Sequence, residues 1–244
     1  MKIRATLAAL FLVIVFSETA FAQAVTVPPA RTSPFGKSVT GFMQLSIGLT
    51  YMPVLNLTSK SQETDTTFSI SNERANIPGY SASILLIPTW GRNGITFGAS
   101  YDRTGAAFNQ KAETTYVPPF EGHSSLGFSD FTARVGYARY FGEYQWHPYL
   151  MTDVGVVWEA VDIASSYPGE DDIVKEARKT TGLVSGAFGV AKEISNGIVG
   201  GEIRLDYYPI PATIDFQDPV GKNQIRIDHP MILKLMLIFA IGQL

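Results

Sequence analysis

A chain of 244 residues with three histidines has few places where a side chain can move a proton near neutral pH. His123 opens the run His123-Ser124-Ser125, with Glu121 just before it and Ser129-Asp130 just beyond. A His-x-Ser spacing suits an imidazole that activates a hydroxyl, provided an acid orients the ring. The chemistry would be hydrolytic, with His123 as base and Ser125 as nucleophile. His147 and His229 each precede a proline at a strand start, so His123 is the candidate base. Three residues in one polar stretch do not define a catalytic geometry, and the reading taken is non-enzymatic. There is no cysteine, hence no thiolate nucleophile, thiolate metal site or disulfide. Gly169-Glu170-Asp171-Asp172 is too compact for a calcium loop and reads as a solvated tip. No phosphate loop, nucleotide fingerprint or metal-ligand cluster is present, so no cofactor and no metal are expected.

A second set of chemical residues is charged and sits in unusual company. Arg134, Asp153, Glu202, Arg204 and Lys234 each fall inside a segment whose neighbours alternate between apolar and polar. From Met231 to Leu244, Leu233, Leu235, Leu237, Phe239 and Ile241 share one parity, whereas Lys234, Met236, Ala240 and Gly242 share the other. Near the start, Gly41, Met43, Leu45, Ile47, Leu49 and Tyr51 oppose Thr40, Phe42, Gln44, Ser46, Gly48 and Thr50, a face that is mostly polar or small. Ile95, Phe97, Ala99 and Tyr101 oppose Thr96, Ser100 and Asp102, and Val199, Ile203, Leu205 and Tyr207 oppose Glu202, Arg204 and Asp206. A helix would scatter these charges around all sides, so the period of two marks strands.

The pattern predicts eight strands, at 39–51, 80–90, 94–103, 128–141, 147–161, 180–192, 198–208 and 230–243. The gaps at 91–94, 142–146 and 193–197 are tight, with Asn93-Gly94 and Asn196-Gly197 as hairpin-type pairs. Those at 52–79, 104–127, 162–179 and 209–229 are long and polar, and their charges sum to about −5. Alternating short and long connections are what an even-stranded antiparallel transmembrane β-barrel requires, with short periplasmic turns and long extracellular loops.

The N-terminus agrees with that location. Lys2 and Arg4 precede the apolar run Leu7–Phe16, and Ala20-Phe21-Ala22 is a small-x-small site, so residues 1–22 read as a cleaved signal peptide. The apolar run is too short to span a bilayer as a helix. Residues 23–38 form a proline-bearing periplasmic lead-in, and 39–244 form the barrel domain. Loss of Lys2, Arg4 and Glu18 leaves 17 basic and 21 acidic residues, a balance that disfavours nucleic acid. Aromatic residues make up 12% of the chain and glycine 22 positions, a mixture suited to strands, tight turns and interfacial rings.

With these strands the chain resembles the small outer-membrane β-barrels of the OmpA, OmpX and OmpW kind. The resemblance covers about 39–244 and rests on strand number, loop alternation, the apolar last strand and the run His147-Pro148-Tyr149 followed by Val154-Gly155-Val156. It implies the bacterial outer membrane, lipid and lipopolysaccharide as surroundings, the barrel assembly machinery as partner, and a monomer. Leu244 stands where that family ends in an aromatic residue, and no peptidoglycan-binding domain is expected after the barrel, so a cell-wall tether is not implied. Some such barrels modify lipid A, which gives His123 and Ser125 a substrate class; OmpW-like barrels imply a conduit for small hydrophobic molecules.

Eight strands enclose an interior that side chains fill. Arg134 is expected beside Asp153, and Glu202 and Arg204 near Lys234, as one connected ion-pair network in a plugged polar lumen. Trp90, Tyr144 and Trp146 are expected at the periplasmic interface, and Tyr51, Tyr80, Tyr101, Phe131, Trp158 and Tyr207 at the outer one. The function expected is envelope structure or surface interaction through the loops.

Overall fold

The computed structural model describes residues 40–61, 66–114, 120–142, 146–166, 173–194, 197–218 and 221–243. The signal peptide, the whole lead-in, Tyr144, Gly169-Glu170-Asp171-Asp172, Asn196 and Leu244 lie outside them. Nearly all of what is described is strand: β1 (Thr40–Ser61), β2 (Thr66–Trp90), β3 (Asn93–Thr114), β4 (Phe120–Tyr140), β5 (Trp146–Ser166), β6 (Ile173–Ile194), β7 (Gly197–Tyr207), β8 (Ala212–Asp218) and β9 (Gly221–Gln243). Every neighbouring pair is antiparallel, and β1 pairs with β9, so the sheet closes on itself. β7 and β8 are one stave of that ring. Both pair with β9, and the ladder is interrupted between them at Tyr208-Pro209-Ile210-Pro211, where two prolines offer no N–H. The ring therefore has eight positions.

One row of the register can be followed all the way round: Met43, Leu86, Phe97, Val135, Val154, Val184, Tyr207, Met231 and back to Val54. The return is eleven residues beyond the start, one of them supplied by the bulge between Tyr51 and Val54. A stagger of about ten over eight strands, with ~3.3 Å per residue and ~4.8 Å between strands, gives a strand tilt of ~40° and a backbone radius of ~8 Å. Such an interior holds side chains and no open pore.

The strands run well past the expected limits. The stretches expected as long polar loops are largely strand in their described residues. The reason is a change of chemistry at constant parity. Below the outer aromatic ring the apolar side chains point out, as at Leu49 and Leu237, and polar ones point in, as at Gln44 and Ser46. Above it Asn56, Thr58, Glu121, His123 and Ser125 point out, and Leu57, Phe108, Leu126, Phe128 and Ile163 point in. The upper segment is built like a water-soluble barrel, with a core of its own. Averaged over residues it reads as a loop; taken by alternate residues it is a strand.

The first short turn also sits elsewhere than expected. Trp90 pairs with Asn93, so Gly91-Arg92 form the turn, and Gly91 takes a φ of 60° that side-chain-bearing residues rarely adopt. Gly94 belongs to β3, where the side chains of Ile87 and Thr89 occupy the space a Cβ would need.

Candidate functional site: the lumen and the two faces of the barrel

The lumen is filled in three layers. At the periplasmic end Phe42, Tyr140 and Tyr149 pack with Leu85, Ile87 and Met151. The rings of Tyr140 and Tyr149 lie 5.4 Å apart, and those of Phe42 and Tyr140 6.1 Å apart. Tyr149 fits because Gly189, its partner across the strand pair, has no side chain where the ring lies. Outside the membrane belt the upper core closes the other end. Between them lies a layer of charged and hydroxyl side chains, with the small apolar cluster Val157, Leu183, Tyr208 and Ile232 beside it.

All five of the charges expected in the lumen are buried there: Arg134, Asp153, Glu202, Arg204 and Lys234. They fall into two groups. In the first, Arg204 is ion-paired with Asp153 and donates through Nε to Glu202 at 2.8 Å. The other Glu202 oxygen accepts from Tyr149 at 2.7 Å, and Asp153 accepts from Thr96 at 2.8 Å and Ser185 at 3.2 Å. In the second, Lys234 Nζ lies 2.7 Å from Asp102 and 2.6 Å from Asp206. Arg134 lies 3.6 Å from Asp206 and donates to Ser100 at 2.6 Å.

The partners differ from those expected, for reasons of register. Arg134 stands opposite Gly155, while Asp153 stands opposite Gly136 and folds over that glycine toward Thr96. Arg134 pairs instead with Asp206. Arg204 and Lys234 are direct cross-strand neighbours, two like charges that turn apart. Arg204 takes Glu202 and Asp153; Lys234 takes Asp102 and Asp206. Asp102 and Asp206, which bridge the second group, were not among the expected site residues although both lie on the inward parity. From Asp102 one row of the register continues through Asp130 and Glu159 to Lys179, with Lys179 Nζ 3.1 Å from Glu159. Three acids thus stand side by side on β3, β4 and β5.

The outer face carries the two aromatic rings. Trp90 and Trp146 are exposed near the lower ends of β2 and β5, and Tyr51, Tyr80, Tyr101, Phe131 and Trp158 are exposed higher up, with Tyr207 half-buried. Phe131 and Trp158 stack at 5.8 Å, Tyr80 and Tyr101 at 6.2 Å. Ten residues of β2 separate Tyr80 from Trp90, which at ~3.3 Å per residue and ~40° of tilt is ~25 Å, the height of a lipid-facing belt. The residues between are apolar and exposed, among them Ile47, Leu86, Phe97, Val154 and Ile203. A continuous exposed apolar belt bounded by aromatic rings is a surface built for lipid. No helix among the described residues is long and apolar enough to cross a membrane.

The hydrolytic pair is not assembled. His123 and Ser125 are both exposed on the outside of β4, and His123 Nδ1 lies 2.5 Å from Asn109 Oδ1, a neutral amide without the charge that would stabilise an imidazolium. Ser124 turns inward and donates to Ser165 at 2.8 Å. Glu176 accepts from exposed Arg178 at 2.6 Å, which raises the guanidinium pKa. No group of His, Asp and Glu among the described residues is placed to hold a metal ion.

No family model matches the chain, and no curated protein does. Solved structures do. The outer membrane protein OprG from Pseudomonas aeruginosa is 9% identical over 84% of this chain and 98% of its own, with a TM-score of 0.48. Neisserial surface protein A is 13% identical over 82% of this chain and 96% of its own, at 0.40. Ail, the attachment invasion locus protein of Yersinia pestis, crystallised with the heparin analogue sucrose octasulfate, is 10% identical over 82% and 98%, at 0.39.

Proposed function

We propose that the protein is a non-enzymatic β-barrel of the bacterial outer membrane whose lumen is plugged, and that it acts in envelope structure or surface interaction through the hairpins that rise above the membrane. The carrying observation is the filled interior. An apolar layer, a charged layer and a second apolar layer follow one another along the axis, with Tyr149, Lys234 and Phe128 each at most 2% exposed. The working surface on this reading is the polar exterior of the β3–β4 and β5–β6 hairpins, including Glu121, His123, Glu176 and Arg178. Lipid and lipopolysaccharide surround the belt, the barrel assembly machinery inserts it, and the protein works as a monomer after removal of residues 1–22. Planar bilayers give the test: the purified protein is expected to pass no steady current, and steady conductance would reject the plug. Extraction by carbonate without detergent would reject the membrane reading itself.

A narrow conduit for small hydrophobic molecules is the second reading. The apolar wall of the upper lumen, with Leu57, Phe108, Leu126 and Ile163, favours it. Below that wall the conduit would have to pass the ion pairs of Lys234 and Arg204, for which such a solute offers no exchange of partners.

A further inference from the structure

On the lipid-facing side, five residues of a single register row form the lower side of a groove: Val190, Gly201, Leu237, Ile47 and Ala82, on β6, β7, β9, β1 and β2. Leu237 and Ile47 stand out from it, and the backbone of Gly48 and Gly189 lies at the bottom. Two of the five, Gly201 and Ala82, have little or no side chain. The next outward-facing row on the extracellular side supplies a wall of Phe188, Ile203 and Leu235, and the row on the periplasmic side begins with Lys192, Val199 and Phe239. The result is an apolar recess of about 820 Å³ that shares Val190, Gly201 and Leu237 with a second, of about 610 Å³, at its lower end. Trp146 and Lys192, direct neighbours across β5 and β6, stand at that lower end.

The dimensions suit one kind of occupant. Four strand spacings of ~4.8 Å make the row ~19 Å long, the reach of an extended long acyl chain. The row climbs at the same ~40° by which the strands lean, so it rises ~12 Å within the ~25 Å belt, ending at Ala82 two residues below Tyr80. Its low end is the chemical end. The Lys192 ammonium sits 5.1 Å from the centre of the Trp146 ring, at the periplasmic aromatic belt where lysine side chains reach toward headgroups. An ammonium at the mouth and an apolar trough behind it complement a phosphate joined to an acyl chain.

We propose that this groove is a specific site for a glycerophospholipid of the periplasmic leaflet, with the phosphodiester on Lys192 and one acyl chain lying along the Gly201 row. The proposal rests on the membrane reading above and goes beyond it. Delipidated protein is refolded in detergent, its folding checked by heat-modifiable migration in gels, and exposed to dipalmitoyl phosphatidylglycerol or to the matched diacylglycerol before native mass spectrometry. Wild type is expected to retain one phosphatidylglycerol. Gly201→Phe, which fills the trough, is expected to lower retention at least tenfold. Lys192→Ala is expected to bind phosphatidylglycerol and diacylglycerol alike. Val135→Phe, on the opposite lipid face, is expected to match wild type. Equal retention by folded wild type and Gly201→Phe, or preference for the phospholipid surviving in Lys192→Ala, would overturn the proposal. Failure of the membrane reading would appear separately, as release from membranes by carbonate.

Discussion

Replacing Lys234 with Met tests the charge layer most directly. The side chain keeps its length and loses an ammonium that is 1% exposed and sits 2.7 Å from Asp102 and 2.6 Å from Asp206. What each carboxylate retains sets the cost. Asp206 keeps Arg134 at 3.6 Å, and Asp102 keeps the Ser100 hydroxyl at 3.3 Å, both poor substitutes for a direct ion pair. Leaving buried charge in that state costs about 3–5 kcal/mol, and Met returns little of it. Asp206→Asn should cost less, about 1–2 kcal/mol, because Lys234 keeps Asp102 and Arg134 keeps Ser100 at 2.6 Å. The double variant should therefore cost less than the two singles together, with a coupling of about 2 kcal/mol. Reversible urea unfolding in lipid vesicles measures all four corners of the cycle. Tryptophan fluorescence reports it, since Trp90, Trp146 and Trp158 all face lipid and lose it on unfolding. A Lys234→Met cost below about 1 kcal/mol, or a coupling near zero, would refute the inference that these ions are paired rather than hydrated.

Other perturbations separate the remaining layers. Phe128→Ala empties part of the upper core and should cost about 3 kcal/mol, seen as protease cleavage within 104–127 on intact cells while the membrane belt stays protected. Gly189→Ala places a methyl group against the Tyr149 ring and should cost about 1–3 kcal/mol in the same urea assay; no loss would mean that the periplasmic plug is loosely packed. His123→Ala should leave the lipid A of the host unchanged by mass spectrometry, and altered acylation would revive the hydrolase.

The membrane belt was legible in the sequence because its signal is local and redundant. Leu45, Ile47 and Leu49 repeat at a period of two, and the same period recurs in strand after strand. The upper hairpins were not legible by the same criterion because they reverse it: Leu126 and Phe128 face in where Val135 faces out, although the strand continues unbroken through Asp130. A criterion that equates polar segments with loops stops at the water line. The inward charges were legible as a set, since parity alone assigns Arg134, Asp153, Glu202, Arg204 and Lys234 to the lumen. Their partners were not. Which carboxylate meets which cation depends on the stagger of the ring and on glycines such as Gly136 and Gly155, over which a side chain can cross. Asp102 and Asp206 were passed over because they lie near the outer edge of the expected spans, where an exposed acid is ordinary.

The order of the three lumen layers bears on transport more than the diameter does. A single apolar lining would favour hydrophobic solutes, and a single hydrated charged lining would favour ions. Here a hydrophobic molecule that entered among Leu57 and Phe108 would next meet Asp102 and Lys234, whose ion pair it cannot replace. An ion that reached that layer would find the packed side chains of Tyr149, Met151 and Ile87 below it. Each class of solute is stopped by a layer that would admit the other. Opening such a barrel would need two independent rearrangements, one breaking charge pairs and one unpacking aromatic rings. On the plugged reading proposed above, exchange with the surroundings falls on the outside of the barrel, at the hairpins and at the proposed Gly201 groove.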